Sequence, residues 1–200
     1  MSQFGWLDGP GIMMSDAQPD PEGTTVVTLS KKVCLLGDFA VGKTSLMRRF
    51  VYDLFDDKYI STIGVKVSRK TVILTRDDDI VDLTMMVWDL AGGEEFSRMR
   101  ASYLRGAAGA LMVYDVSRPE TLTSLGQYLQ DLQNINGRCA VVLAANKADL
   151  LTHLTPGERT AFEAEARSMA KGLDAPLYFT SAFSGQAVQD AFNRLGQLLT

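Results

Sequence analysis

The chain is built around one octapeptide, Gly37-Asp38-Phe39-Ala40-Val41-Gly42-Lys43-Thr44. It matches the pattern G-x-x-x-x-G-K-[ST], in which glycines let the backbone pass close to a polyphosphate. Residues 33–36 in front of it are apolar and indicate a buried strand, and residues 45–51 behind it have helical character. A chance Lys-Thr after a glycine turn is the alternative, and the flanking strand and helix argue against it.

In a loop of this kind, the backbone N–H groups of residues 40–45 are expected to point inward and to join the partial positive charge of the helix start. Lys43 is expected to bridge the outer phosphates, and the Thr44 hydroxyl is expected to bind Mg²⁺. The residues that we expect to contact the ligand here are Asp38, Phe39, Ala40, Val41, Gly42, Lys43, Thr44 and Ser45.

Composition limits the class of protein. Two hundred residues suit a single α/β domain, and the net charge of −4 gives no electrostatic reason to expect nucleic acid as a partner. The two cysteines, Cys34 and Cys139, lie in apolar runs and indicate reduced core thiols. No apolar run approaches ~18 residues, and the N-terminus does not resemble a signal peptide. We therefore expect a soluble, cytoplasmic protein.

The chain divides at about residue 30. Residues 1–30 are rich in Gly, Pro and Asp and are expected to form a flexible extension, whereas residues 31–200 alternate strand and helix patterns. This alternation predicts an α/β domain with a mostly parallel six-stranded sheet and helices on both faces. A polar turn at 75–79 makes the second and third strands antiparallel. The expected strands are 33–37, 65–74, 81–88, 110–115, 140–145 and 177–180, and the expected helices are 43–52, 98–104, 119–134, 156–171 and 186–198.

Polar motifs follow three further strands, at the sheet edge where such folds bind ligands. Asp89 ends the third strand and is placed to hold Mg²⁺, while the Gly92 N–H is placed to meet a terminal phosphate. Ser181 and Ala182 follow the last strand, where the Ala182 N–H is placed to meet a guanine oxygen.

The motif Asn146-Lys147-Ala148-Asp149 directly follows the strand 140–145. A carboxylate at Asp149 can accept hydrogen bonds from the N1–H and 2-amino groups of guanine, whereas adenine lacks this donor pair. Asn146 is expected to tie the loops together, and the stem of Lys147 is expected to cover the base. A polar loop that merely closes a strand is the alternative.

With these motifs in this order, the chain resembles the Ras superfamily of small GTPases, and the Rab branch in particular. The stretches that carry the resemblance are GDFAVGKTS, YISTIGV, WDLAGGEEF, SYLRGAAGALMVYDVS, NKAD and TSA. The resemblance implies a P-loop NTPase (G) domain that binds GTP or GDP with Mg²⁺ and acts as a molecular switch. It also implies that effector, exchange and activating proteins contact residues 55–67 and 89–104.

The resemblance further assigns roles around the γ-phosphate. Thr62 would close on Mg²⁺ and the γ-phosphate, Tyr59 would lie over the phosphates, and Phe55 would pack edge-on against guanine. Trp88 and Tyr103 match two of three aromatic surface positions of Rab proteins, while Val67 replaces a phenylalanine. The implied catalytic residues are Lys43, Thr62, Gly92 and Gly93, and the implied metal ligands are Thr44, Thr62 and Asp89.

Three positions depart from the family pattern. Gly93 stands where relatives carry the glutamine that orients the attacking water, and Phe39 stands where they carry a small residue beside the γ-phosphate. We therefore expect slow GTP hydrolysis, unless Glu94 or Glu95 substitutes for the glutamine. Phe183 replaces a common lysine; its ring would contact the base or fill the core, and core packing is the expectation.

The end of the chain also differs from a typical Rab protein. It has no terminal cysteine to prenylate, and Ser2 stands where myristoylation requires glycine, so no direct lipid anchor is evident. Either a longer natural chain was trimmed, or the protein reaches its site through partners. With the altered catalytic positions, this favours a prokaryotic Rab-like protein.

Two other functions compete with a GTPase switch. A guanine-nucleotide scaffold with almost no hydrolysis is compatible with Gly93 and Phe39. A P-loop kinase for a small molecule is disfavoured by the motif 146–149 and by the lack of an Arg-rich lid insertion.

Overall fold

The computed structural model describes residues 26–55, 62–76, 79–92 and 97–200, with only the backbone described for 97–100. The strands are β1 (Val26–Leu36), β2 (Val65–Arg76), β3 (Asp79–Leu90), β4 (Gly109–Asp115), β5 (Ala140–Asn146) and β6 (Leu177–Phe179). The helices are α1 (Lys43–Tyr52), α2 (Ser97–Leu104), α3 (Glu120–Thr123), α4 (Leu125–Asn136), α5 (Pro156–Gly172) and α6 (Val188–Leu199), with a 3-10 helix at Ala148–His153.

The strands form one sheet in the order β2-β3-β1-β4-β5-β6. The pair β2–β3 is antiparallel, with Val65 opposite Leu90 and Arg76 opposite Asp79, and the other pairs are parallel. The predicted fold class is therefore confirmed, including the single antiparallel strand.

Both faces of the sheet are covered by helices. Successive residues of a strand point to opposite faces, so a strand buried on both sides is apolar throughout. In β1, Val33 and Leu35 pack on the face covered by α1 and α6, whereas Cys34 and Leu36 pack on the face covered by α2, α4 and α5. The seven residues of β4 are all buried. Strands β1 and β4 lie in the middle of the sheet. Their burial on both faces holds in place the carboxyl ends, where the loops of the candidate site begin.

Two boundaries differ from the prediction. Strand β1 begins at Val26, which pairs with Ile80, so residues 26–30 belong to the sheet and not to the expected extension. This part of β1 is largely exposed and gives little apolar signal. Residues 1–25 lie outside the described residues. The helix predicted at 119–134 is two helices, with Ser124 at the junction donating a side-chain hydrogen bond to the Glu120 carbonyl.

Within the described ranges, no helix has the length and apolarity needed to cross a membrane. Both cysteines are free thiols: Cys34 is buried and Cys139 is half-buried. Burial raises the pKa of the Cys34 thiol to about 12. The expectation of unpaired core thiols is thus confirmed for Cys34, while Cys139 lies just before β5 at a more accessible place.

Candidate functional site

A cavity of about 420 Å³ opens at the carboxyl ends of the parallel strands, within the size range of small-molecule sites. Of the residues singled out in the sequence, it is lined by Phe39, Ala40, Gly42, Lys43, Thr44, Ser45, Phe55, Thr62, Gly92, Asn146, Lys147, Asp149, Ala182 and Phe183. Arg48, Leu54, Leu90, Ala91 and Leu150 complete its walls. The cavity brings Lys43 and Asp149, more than a hundred residues apart, into one site. Tyr59 and Gly93 lie outside the described residues.

Residues 37–44, called here the glycine loop, surround the side chain of Lys43, which is buried. Its Nζ donates hydrogen bonds to the carbonyls of Gly37 (2.8 Å) and Asp38 (2.7 Å). Gly42 precedes the first turn of α1 with a φ of 97°, a left-handed conformation that favours glycine. A Cβ atom there would lie 2.3 Å from the amide nitrogen of Asn146. The motif therefore needs glycine at 42 for close approach to its own protein as well as to a ligand.

Gly92 packs directly against the glycine loop. A Cβ atom on Gly92 would lie 2.6 Å from the Asp38 carbonyl carbon and 2.6 Å from the Phe39 nitrogen. Real Cβ atoms do not approach backbone so closely, so any larger residue would push the segment after β3 away from the loop. Gly92 thus sets how near that segment comes to the phosphate end of the cavity.

Three oxygen-bearing side chains meet beside Lys43. The Thr44 hydroxyl donates to Asp89 Oδ2 (2.6 Å) and lies 2.8 Å from the Thr62 hydroxyl, which in turn donates to Asp89 Oδ2 at 3.3 Å. Adjacent ligands of an octahedral Mg²⁺ ion at ~2.0–2.1 Å lie about 2.9 Å apart, close to the Thr44–Thr62 distance. One carboxylate and two hydroxyls also suit Mg²⁺, which keeps several waters. This donor set therefore fits the ion.

Asp89 itself is poised for a positive charge. It is fully buried, and among the described residues its Oδ1 atom has no hydrogen-bond partner. Burial raises the pKa of its carboxyl group, against hydrogen bonds from Thr44 and Thr62 and the nearby charge of Lys43. A buried carboxylate oxygen without a partner is costly, and a metal-bound water would satisfy it.

Asn146 connects the two ends of the cavity. Its amide nitrogen donates to the Val41 carbonyl (2.9 Å), and its oxygen accepts from the Ala182 N–H (3.3 Å) and the Thr180 hydroxyl (3.4 Å). Asn146 is buried, as are its partners. One side chain thus joins the glycine loop, the end of β5 and the loop after β6, as the sequence analysis predicted.

Asp149 and Lys147 take up different positions. Lys147 adopts a left-handed conformation, with a φ of 64°, and its Nζ donates to Asp115 Oδ2 at 2.6 Å. Asp149 lines the cavity, and its Oδ1 accepts a hydrogen bond from the Ser181 hydroxyl at 2.5 Å. Ser181 is buried and lies behind Asp149 instead of lining the cavity. We therefore assign Ser181 to the orientation of Asp149.

Three supporting residues were missed in the sequence. Asp115, at the end of β4, accepts hydrogen bonds from Lys147 and from Arg118 (Nε, 3.1 Å). Burial opposes ionisation of Asp115, but hydrogen bonds from Lys147 and Ser117 outweigh it and lower its pKa. Arg118 Nη2 also donates to the Phe39 carbonyl at 2.8 Å. A polar residue ending a buried strand was a usable signal for Asp115; no local pattern marks Arg118.

The third is Tyr128 of α4, whose hydroxyl donates to Asp38 Oδ1 at 3.0 Å. This bond turns the Asp38 carboxylate away from the cavity, and Val41 is likewise buried outside its lining. Of the eight loop residues expected to contact the ligand, the side chains of these two therefore support the loop from behind.

The expectation that Phe183 fills the core is wrong. Its side chain is 64% exposed and lines the cavity. Its ring centroid lies 5.4 Å from that of Phe55, at an interplanar angle of 86°. Phe39 is also half exposed and lines the opposite, phosphate end. An apolar residue after a strand usually enters the core, but here the loop after β6 turns its aromatic ring towards the cavity.

Comparison with known proteins agrees with this geometry. Residues 32–200 match the Ras family. The chain is also 35% identical over 169 residues to the Ras-related protein SEC4 of Saccharomyces cerevisiae, covering 84% of this chain and 74% of that protein. The chain therefore belongs to the Ras family of small GTPases, as a Rab-like switch protein that binds GTP or GDP with Mg²⁺ and hydrolyses GTP.

Proposed function

We propose that this protein is a guanine-nucleotide switch whose GTP hydrolysis is unusually slow. One observation carries the nucleotide assignment: the glycine loop with Lys43 and the carboxylate of Asp149 line the same cavity. A ligand that spans both must combine a polyphosphate with a base that presents two adjacent N–H donors. Guanosine phosphates have this combination, and adenosine phosphates do not.

At the base end, Asp149 would read guanine. A carboxylate offers about four acceptor positions, and Ser181 occupies one of them. Enough remain to accept from the N1–H and 2-amino groups. Because Ser181 fixes one oxygen of the carboxylate, the other acceptor positions are presented in a defined direction.

At the phosphate end, Thr44, Thr62 and Asp89 would hold Mg²⁺, which neutralises charge on the β- and γ-phosphates when bound. Lys43 and the loop N–H groups would stabilise the charge that develops as water attacks the γ-phosphorus. Gly92 would bring its N–H to the same phosphate. Catalysis here consists largely of positioning and charge stabilisation, so the missing glutamine at Gly93 removes one positioned contact to the water.

Phe39 adds a second hindrance. Its ring stands half exposed at the phosphate end, and its backbone carbonyl is held by Arg118. A bulky ring fixed beside the γ-phosphate obstructs an arginine supplied by an activating protein. We therefore expect ordinary activating proteins of the family to be ineffective on this chain.

The switch surface would be read through residues 55–67 and 89–104. Thr62 contacts the proposed metal site, and its neighbour Ile63 is 87% exposed. A change at the γ-phosphate is therefore one residue away from a surface that a partner can contact. Val67 pairs with Trp88 across β2 and β3, so effectors would meet a smaller side chain here.

The unpaired cysteines favour a reducing compartment, and we place the protein in the cytoplasm.

Single-turnover GTP hydrolysis tests the proposal, with Lys43→Ala as the baseline. We expect slow release of phosphate by the wild type, and a rate roughly 10- to 100-fold higher for Gly93→Gln combined with Phe39→Ala. Phe39→Ala alone should restore sensitivity to an arginine-bearing activating protein more than it raises the intrinsic rate. A wild-type rate equal to that of an ordinary Rab protein measured side by side would contradict slow hydrolysis.

The second candidate is a scaffold that holds GTP without turnover, favoured by the same two positions, Gly93 and Phe39. Released phosphate followed over hours, alone and with cell extract, separates the two functions. Retention of intact GTP under both conditions identifies the scaffold, while conversion to GDP identifies the switch.

A further inference from the structure

At the end of the sheet opposite the cavity, one face of β1, β2 and β3 carries exposed apolar side chains. In β2, Val72 and Leu74 are buried against α1 and α6, whereas Ile73 between them points to the opposite face and is 75% exposed. On the same face, Ile80 of β3 and Val26 of β1 are 37% and 40% exposed. We call Val26, Ile73 and Ile80 the open-face cluster.

The three side chains of the open-face cluster are neighbours across three strands. Val26 pairs with Ile80, and Ile80 lies opposite Thr75, which makes Ile73 its diagonal neighbour on the same face. Directly paired and diagonal residues on one face are close enough for aliphatic side chains to form one apolar surface. A contiguous exposed apolar surface indicates a contact site, whereas isolated exposed apolar residues do not.

The chain that precedes β1 joins the sheet at this cluster. Residues 1–25 stand before Val26, and we call them the N-terminal segment. Beyond Met1, its large apolar side chains are at positions 4, 6, 7 and 12–14, and the connecting residues 15–25 contain Pro, Asp and Gly, which favour turns. A segment of this composition cannot pack a core of its own, but it can bury its few apolar side chains on a surface that already exists.

The connection is long enough for these side chains to reach the cluster. The twelve residues from Ser15 to Val26 span at most about 40 Å when fully extended. The open face is shorter, because Trp88 at its upper end pairs with Cys34, eight residues or ~26 Å from Val26 along β1. The segment therefore has the length to turn back over the cluster, and the connection keeps it there at an effective concentration on the order of 1 mM.

The charges of the two surfaces are opposite in sign. The charged side chains of the N-terminal segment are all acidic, at Asp8, Asp16, Asp20 and Glu22. Those of β2, which carries Ile73, are all basic, at Lys66, Arg69, Lys70 and Arg76. A second copy of the chain docked on this face would bring basic side chains of β2 towards one another, which is unfavourable. Charge therefore favours the N-terminal segment of the same chain as the occupant.

We propose that the N-terminal segment docks across the open-face cluster, with the apolar side chains of residues 4–14 covering Val26, Ile73 and Ile80. The docking does not depend on the proposed function, because the cluster is not part of the cavity lining. It combines apolar burial with charge attraction to β2, and it uses a surface that the described helices leave exposed.

Docking would place the N-terminal segment on the two strands that lead to the proposed switch surface. Val67 and Trp88 lie on the same face of β2 and β3 as the cluster, nearer the cavity. A partner that contacts Val67 and Trp88 therefore meets the docked segment as part of its binding surface. This consequence alone rests on the proposed function.

The test uses the full-length protein labelled with 5-fluorotryptophan. The chain has two tryptophans, Trp6 and Trp88, so it gives two ¹⁹F resonances, which Trp6→Phe assigns. The Trp6 resonance should lie away from its position in the urea-unfolded chain. Ile73→Thr keeps a β-branched side chain but removes about two buried methylene groups, so it should shift the docking equilibrium roughly 10-fold towards the undocked state. The Trp6 resonance should move towards its unfolded position accordingly.

Leu198→Gln is the matched control. Leu198 is also an exposed apolar residue, but it belongs to α6, which covers the opposite face of the sheet. This substitution should leave the Trp6 resonance where it is in the wild type. Adding Ile80→Thr to Ile73→Thr should shift the equilibrium roughly 100-fold in total, since each substitution removes a similar apolar surface.

Three results would overturn the docking. The first is a wild-type Trp6 resonance at its unfolded position. The second is a displaced resonance that returns to that position on about 20-fold dilution, because this shows contact between two copies of the chain. The third is a displaced resonance that neither Ile73→Thr nor the double variant moves, because this places the segment elsewhere. If Ile73→Thr does not fold, as judged by circular dichroism, Ile80→Thr decides in the same way. Failure to bind guanosine phosphates would count against the proposed function and leave these readings unchanged.

Discussion

Replacing Asn146 by alanine should damage folding and nucleotide retention together. The side chain satisfies three buried groups: the Val41 carbonyl, the Thr180 hydroxyl and the Ala182 N–H. A buried polar group left without a partner costs ~1–3 kcal/mol. Because two of the three contacts are long, at 3.3 and 3.4 Å, we take the lower end of this range for each group. The expected loss is about 3 kcal/mol, or roughly 100-fold in an equilibrium constant.

Two measurements follow this loss. Urea unfolding with saturating GDP and Mg²⁺ should show a lower midpoint with an unchanged slope, and GDP release should accelerate at the same time. Asn146 joins the glycine loop to the loop after β6. The lost free energy should therefore appear partly as lower stability and partly as faster release of GDP.

Asn136 supplies a matched control outside the lining of the cavity. Its amide group donates to the carbonyls of Leu104 and Leu132 and accepts from the Gly106 N–H, so it also makes three contacts. It does not line the cavity. Asn136→Ala should therefore lower stability without changing GDP release. Equal effects of both substitutions on release, or a loss below about 1 kcal/mol for Asn146→Ala, would refute the idea that Asn146 joins the two ends of the site.

Two further predictions use other parts of the structure. Asp149→Asn should weaken GDP binding and favour xanthosine diphosphate, because an amide presents one acceptor and one donor and so matches the N1–H and 2-oxo groups of xanthine. Competition binding between the two nucleotides measures this change. An unchanged preference for guanine would count against Asp149 as the residue that recognises the base. The free energy of unfolding should fall by up to ~1.4 kcal/mol per pH unit as pH rises from about 9 to about 12. The reason is that the pKa of Cys34, about 12 in the folded protein, lies above its ordinary value of 9.0, so the unfolded chain loses the proton first. In Cys34→Ala, urea unfolding at several pH values should show a shallower decline.

Local sequence was a good guide to the site where function depends on a few consecutive residues. The loop 37–44 and the motif 146–149 follow buried strands, and parallel strands bring their carboxyl ends to one edge. Their meeting in one cavity could thus be predicted without coordinates. The strands themselves were recognisable because sheets covered on both faces need nearly continuous apolar runs.

The supporting contacts were not predictable in the same way. Arg49 reaches residues 133 and 134 positions later, and Arg118 reaches back 79 positions to Phe39. A long side chain on a helix or turn has many possible partners, and only the packing of the whole domain selects one. The prediction for Phe183 was wrong for a related reason. In the sequence, an apolar residue looks the same whether its side chain faces the core or a ligand cavity.

These contacts divide the site into a fixed half and a switchable half. At the base end, Arg49, Asn146 and Asp115 each make several hydrogen bonds within the described scaffold, so the loops there are ordered without help from the γ-phosphate. At the phosphate end, the Thr62 hydroxyl makes two contacts, with Thr44 and Asp89. Two hydrogen bonds of ~0.5–1.5 kcal/mol each are within reach of what one phosphate and its metal ion can add or remove. Loss of the γ-phosphate can therefore release Thr62 and the exposed Ile63 while the base stays bound, which is what a switch requires if it is to change its surface without losing its nucleotide.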